Sequence, residues 1–162
     1  MRIHPGKKAW PAALLLFLGV LLLGTHLGRK PIFLLNKNVR LVSFRLMKYE
    51  ELARHRGYIY RMQFLADHYR VDARPLDPGK SWREIAVFHY ERGVGTAMPG
   101  FTLEIDRGRI VSYYWGKKTE KPRSYMILNF FHQKNPLRRR GIQYFDDGFW
   151  RVLKGYDAGT DS

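Results

Sequence analysis

Residues 9 to 28 read AWPAALLLFLGVLLLGTHLG and carry no charged side chain while His26 is neutral. A run of this kind leaves a chain few fates. About 20 residues rising ~1.5 Å each cover the ~30 Å of a bilayer's hydrocarbon as a helix, so the run predicts a transmembrane helix. Pro11 falls in its first turn, where a missing N–H costs little. Trp10 stands at one expected interface, and Arg29 and Lys30 at the other. A cleaved secretory signal is the competing reading, with Arg2, Lys7 and Lys8 as its basic start. No small-x-small cleavage site closes the run, and it is long for a signal core. The expectation is therefore an uncleaved anchor behind a basic tail, residues 1 to 8.

Charge sharpens the picture. The chain carries +15, but residues 1 to 49 hold nine Lys or Arg and no acid, Glu50 being the first carboxylate. The other residues hold 20 basic and 14 acidic side chains, so much of the excess flanks the apolar run. Such flanks suit anionic lipid headgroups. The expected membrane-surface contacts are Arg29, Lys30, Lys37 and Arg40. Orientation stays open. Three basic residues precede the run and six lie within residues 29 to 48, which by the positive-inside rule places the domain in the cytoplasm. A short first segment with a basic start favours the reverse. The expected location is the inner (plasma) membrane, single-pass, with an exported periplasmic domain and a cytoplasmic orientation as the alternative.

After Pro31, residues 29 to 57 place apolar side chains at Leu34, Leu35, Leu41, Val42, Leu46, Met47 and Leu52, with Arg40, Arg45, Lys48 and Glu51 free for another face. That spacing predicts an amphipathic helix stopped at Gly57. It either continues the membrane helix as one rod kinked near Pro31 or lies on lipid by its basic face. From Tyr58 the period changes to two. YIYRMQFL and HYRVDAR flank Ala66-Asp67, FTLEI and RIVSYYW flank Asp106-Arg107-Gly108, and IQYF and FWRVL flank Asp146-Asp147-Gly148, each a hairpin pattern. WREIAVFHY reads as a further strand, and SYMILNFFH as the most continuously buried one. RPLDPGKS, RGVGTAMPG and QKNPLRRRG read as loops, and KGYDAGTDS as a polar tail. Aromatic content of 15% agrees with a β-rich core. The expected fold class is α+β: a membrane helix continuing as an amphipathic helix, then a small antiparallel β domain over residues 58 to 154 with seven or so strands, and a tail over 155 to 162.

No catalytic constellation stands out. Cysteine is absent, which removes disulfides, thiolate metal sites and a cysteine nucleophile. His4, His26, His55, His68, His89 and His132 show no metal-ligand spacing with one another or with a helical carboxylate. There is no Gly-x-Ser-x-Gly elbow, and RGVGTAMPG lacks the lysine and following helix of a phosphate loop. The expectation is a non-enzymatic protein without cofactor or bound metal. The densest positive patch is Lys134, Arg138, Arg139 and Arg140. It is the candidate nucleic-acid or anion site, and exposed aromatics such as Tyr113, Tyr114 or Trp115 could stack the bases of a single strand. The bland reading is a solvated basic loop.

One stretch, GFTLE at residues 100 to 104, looks like a prepilin processing signature. It alternates apolar and polar residues, and no membrane-length run follows it, so it reads as a strand entering a turn. The layout as a whole, with LMKYEELARHRGYIYRMQFLADHYRVDA, Trp82 beyond it and the closing IQYFDDGFWRV, resembles type IV pilins and the minor pseudopilins of type II secretion, of the GspH/FimT kind. The resemblance implies a non-enzymatic, single-pass component of a secretion or type IV pilus assembly. Its partners would be other membrane or pilin-like subunits, met through the N-terminal helix. The resemblance also implies a peptidase-processed start and an acidic residue in the apolar run. Here Gly6 comes too early and the run holds no Glu. Two other classes stand beside it: a membrane-anchored nucleic-acid binder serving DNA uptake, and a cytoplasm-facing scaffold with a basic lipid-binding helix.

Overall fold

A computed structural model describes residues 9–28, 30–77, 79–115, 125–145 and 150–157. Two helices come first, α1 (Ala9–Gly28) and α2 (Pro31–Arg56). α1 and α2 are separate helices, with a break at the point where the one-rod alternative places its kink. Lys30 is extended at φ −66 and ψ 135, and Pro31 opens α2. Proline disfavours helical backbone in the residue before it and suits the first helical position, so the break falls where the sequence places it. The α1 backbone is helical over all 20 residues of the apolar run. Among the described residues no helix is long and apolar enough to cross a membrane; side chains are described only for residues 13 to 23 of α1. Those side chains are exposed, the large apolar ones between Leu14 and Leu23 by 47% to 71%.

Helix α2 buries Leu35, Val39, Val42, Leu46, Tyr49 and Ala53, spaced alternately by four and three. This is one stripe down a 3.6-residue helix. The stripe is not quite the expected one, because Met47 is 52% exposed while Tyr49 and Ala53 are buried. Gly57 ends the helix in the left-handed conformation at φ 62, a backbone that glycine adopts without strain. Arg54, His55 and Arg56 stand in the last turn, where positive charge complements the helix dipole.

Among the described residues the chain then forms nine strands in two sheets, where the sequence pattern suggests seven or so. β1 (Tyr58–Phe64), β2 (His68–Pro75), β3 (Arg83–His89), β5 (Phe101–Asp106) and β6 (Arg109–Trp115) make a five-stranded sheet in the order β3-β2-β1-β5-β6. β4 (Val94–Thr96), β7 (Tyr125–His132), β8 (Asn135–Phe145) and β9 (Trp150–Asp157) make the second, in the order β4-β7-β8-β9. Every described pairing is antiparallel. Core side chains of both sheets, including Met62, Phe64, Val71, Leu103, Ile105, Leu128, Phe130 and Ile142, meet the α2 stripe in one cluster. Phe64 of the first sheet lies 6.4 Å from Phe130 of the second, edge to face. Tyr90 lies 5.6 Å from Phe130 and 5.7 Å from Tyr69. Burial pushes the Tyr69 and Tyr90 hydroxyls above the ordinary tyrosine range.

Several segments depart from the sequence pattern. The expected loop 92–100 contains β4, buried throughout and paired with β7. β5 is buried on both faces, not half-buried. Phe101, Leu103 and Ile105 enter the core. On the other face Glu104 stands opposite both Arg61 and Ser112, and accepts from Ser112 Oγ at 3.1 Å. Arg61 in turn binds Asp72 Oδ2 from Nε at 2.9 Å and from its terminal nitrogen at 2.6 Å, and covers the Trp82 ring at 4.4 Å. A row of polar side chains thus runs across β2, β1, β5 and β6. β7, expected to be buried continuously, alternates: Met126, Leu128, Phe130 and His132 are buried and the residues between them are half-buried. β9 runs on to Asp157, into the expected polar tail. The Asp146-Asp147-Gly148 turn lies outside the described residues.

The Asp106-Arg107-Gly108 hairpin forms as expected, with Asp106 paired to Arg109. Arg107 at φ 48 and Gly108 at φ 80 both take positive φ, as a two-residue turn that matches strand twist requires. A Cβ on Gly108 would stand 2.9 Å from Arg54 Nε, so the turn also docks against the end of α2. The α2 stripe generates a direct test. Leu46→Ala, at a site 0% exposed, should lower unfolding free energy by about 2–5 kcal/mol. Met47→Ala next to it should cost about 0.5 kcal/mol or less. Denaturant titration of the detergent-solubilised chain reads both, and equal costs would mean that α2 presents a different face.

Candidate functional site

The predicted basic patch is not a loop. Only Gln133-Lys134 form a turn, and β8 begins at Asn135. Pairing with β7 passes from His132↔Asn135 to Phe131↔Arg139, so Pro136, Leu137 and Arg138 have no partner on β7. Proline, which cannot donate to a ladder, sits in this bulge without cost. Gly141, which with the arginines reads as a loop signal, lies in the strand. A Cβ there would meet Asn129 Oδ1 at 2.8 Å and Ile127 Cγ2 at 3.2 Å, so the glycine answers a close approach and not a turn.

The four cations of the patch separate into different roles. Lys134 and Arg138 are exposed. Arg139 is half-buried, and its carbonyl accepts from Arg140 at 3.4 Å. Arg140 is buried, and its Nε donates to Asn36 Oδ1 on α2 at 3.0 Å. Arg140 is therefore a tie between β8 and α2, and does not belong to an exposed anion site. Of the predicted lipid contacts, Arg29 lies outside the described residues. Lys37 bonds Glu91 Oε1 at 3.0 Å, and Glu91 N–H donates to Asn38 Oδ1 at 3.3 Å, so Lys37 holds the β3–β4 connection to α2. Arg40 is exposed on α2.

The structure does join Lys30 to part of the patch. A cavity of about 280 Å³ is lined by Lys30, Pro31, Ile32, Leu35, His132, Lys134, Asn135 and Arg138. A second, of about 600 Å³, is bordered by Leu34, Arg92, Gly93, His132, Gln133 and Lys134. His132 is buried between them and its Nδ1 accepts from Lys134 N–H at 3.1 Å. Gly93 at φ 76 leaves that ring room, since a Cβ would stand 3.0 Å from it. Lys30, Arg92, Lys134 and Arg138 have no ion-pair partner among the described residues. They surround the start of α2, the positive end of its dipole. At the tip of the bulge Leu137 is 78% exposed. Lys30, two residues after the end of α1, and Lys134 and Arg138, which flank the projecting Leu137, form a rim able to meet an anionic surface with an apolar interior. Of the predicted stacking aromatics, Trp115 is exposed but its Nε1 donates to Pro99 O at 2.8 Å, while Tyr113 and Tyr114 are half-buried.

Strand pairing also assembles a group that linear spacing hides. His68 stands opposite His89, and Asp67 Oδ1 lies 2.7 Å from His68 Nδ1. The signal for it was present in the hairpin Asp67-His68-Tyr69-Arg70, but it needed the register with β3 before it could be read.

The separation of roles in the patch predicts a contrast. Arg140→Ala leaves Asn36 Oδ1 without that donor and should cost about 1–3 kcal/mol of stability. Arg138→Ala should change stability by about 0.5 kcal/mol or less. Thermal or denaturant melts measure both, and a silent Arg140→Ala would remove its structural role.

No family model and no curated protein sequence matches the chain. Among solved structures it is similar to the minor pseudopilin EpsH from the Type 2 Secretion System of Vibrio cholerae, with a TM-score of 0.52 at 12% identity. The match covers 74% of this chain and 96% of that one. Likeness at that identity concerns architecture: the chain has a pseudopilin-like α+β fold.

Proposed function

We propose that the protein is a non-enzymatic, single-pass membrane subunit of a pilin-like assembly, of the kind used in secretion or type IV pilus machines. The carrying observation is the pseudopilin-like fold together with α1, whose described apolar residues are exposed in every direction around the helix. Residues 14, 15, 16, 17 and 18 point successively ~100° apart, and all are apolar and exposed. A helix apolar on all sides needs a bilayer or other helices around it. In this reading α1 crosses the inner membrane, and packs there against the corresponding helices of neighbouring subunits. The β domain stands on the exported side. Lys30, Lys134 and Arg138 meet anionic headgroups, with Leu137 entering the interface. Juxtamembrane cations contribute about 1 kcal/mol each at such a surface.

The apolar run has no acidic residue, so subunit contact through α1 rests on side-chain packing, without a buried ion pair. DNA as partner has the weaker support, because Arg140 is committed to Asn36. The absence of cysteine makes the packing testable. Leu16→Cys or Val20→Cys, oxidised in native membranes, should cross-link to a protein whose N-terminal helix is pilin-like, identified by mass spectrometry. Uncross-linked monomer at both positions, in cells that assemble the machine, would overturn the assignment.

A further inference from the structure

Asp67, His68 and His89 form a compact set of metal-ligating groups on the rim of the five-stranded sheet, apart from the cationic rim at α2. One carboxylate oxygen and one nitrogen from each ring lie within 4.8 Å of one another. The set is held by backbone. Leu65 N–H donates to His68 O at 2.8 Å, closing the β1–β2 turn, and Tyr90 N–H donates to Asp67 O at 3.0 Å, tying the end of β3 to that turn. The rings of His68 and His89 are 5.6 Å apart, centroid to centroid.

We propose that Asp67, His68 and His89 bind one divalent transition-metal ion of the zinc, nickel or copper class, which clips the β1–β2 turn to the edge strand β3. Two imidazoles and one carboxylate match that class. Calcium and magnesium need several hard oxygen ligands, and here one protein carboxylate is offered. Size agrees as well. Ligands ~2.0–2.1 Å from a tetrahedral ion stand roughly 3.3 Å from each other, between the 2.7 Å of the Asp67–His68 pair and the 4.8 Å limit of the set. The ion takes the place of the proton that bridges Asp67 and His68. The three side chains stand at the surface, His68 partly covered, so water completes the coordination. Nothing in this requires that α1 cross a membrane.

The test uses the full chain in detergent, purified without a histidine tag and stripped with chelator. Zn²⁺ is titrated by calorimetry. One ion per chain is expected, with a rise in melting temperature, because a ligand that binds the folded state stabilises it. His89→Ala and His68→Ala should each weaken binding by about tenfold or more, while His55→Ala on α2 should leave it unchanged. Cu²⁺ on the unaltered chain gives a second reading that needs no variant: its electron paramagnetic resonance should show coupling to two imidazole nitrogens. Absence of stoichiometric Zn²⁺ binding, unchanged binding in the double variant His68→Ala/His89→Ala, or a copper spectrum without two nitrogens would each overturn the proposal.

Discussion

The structure depends on a single apolar seam, the stripe from Leu35 to Ala53 on α2. Neither sheet has a second helix among the described residues to cover it. The inner faces of both converge on this stripe, and the contact of Phe64 with Phe130 closes the join between them. Each fully buried aliphatic side chain on the seam is worth roughly 1.5–3 kcal/mol. Polar ties then fix the first turns and the middle of the helix against the strands. Asn36 receives Arg140 from β8, Lys37 and Asn38 hold Glu91 beyond β3, and Arg45 donates to the Tyr69 hydroxyl at 2.6 Å from the other sheet. The seam is spent entirely on the domain's own strands, and it starts only after the break at Lys30. That division of labour leaves the described side chains of α1 apolar and uncovered.

Legibility in the sequence follows from how local each cause is. Pro31, Gly57 and Arg107-Gly108 act on their own backbone, so the break between helices, the helix stop and the β5–β6 turn could be read directly. The β1–β2 hairpin was equally plain, because Tyr60, Met62, Phe64, Tyr69 and Val71 alternate cleanly. Non-local causes were out of reach. β4 is three residues long, and its burial comes from pairing with β7. Glu104 reads as a solvent-facing residue until strand pairing sets Arg61 and Ser112 opposite it. Pro136 and Gly141 look like loop signals, and only the bulge beside β7 and the approach of Asn129 give them their strand meaning.

The candidate site was legible by half. Charge density singled out Lys30, Lys134 and Arg138, which the fold brings together although they come from distant parts of the chain. Charge density could not say that Arg140 would be buried on Asn36 or that Lys37 would be taken by Glu91. The grouping of Asp67 with His68 and His89 depended on strand register, which no spacing rule encodes. The outcome is a domain whose basic end surrounds the root of an apolar helix. A pseudopilin-like fold and the exposed apolar side chains described for α1 are the two observations behind the proposed use, a subunit held by a membrane and by its neighbours.

That claim turns on where α1 resides. Because the chain lacks cysteine, Leu18→Cys in the middle of α1 and Ile85→Cys on exposed β3 can report separately. The account predicts that a membrane-impermeant maleimide, added to spheroplasts, labels position 85 but reaches position 18 only after detergent. Labelling at position 18 in intact membranes would contradict it.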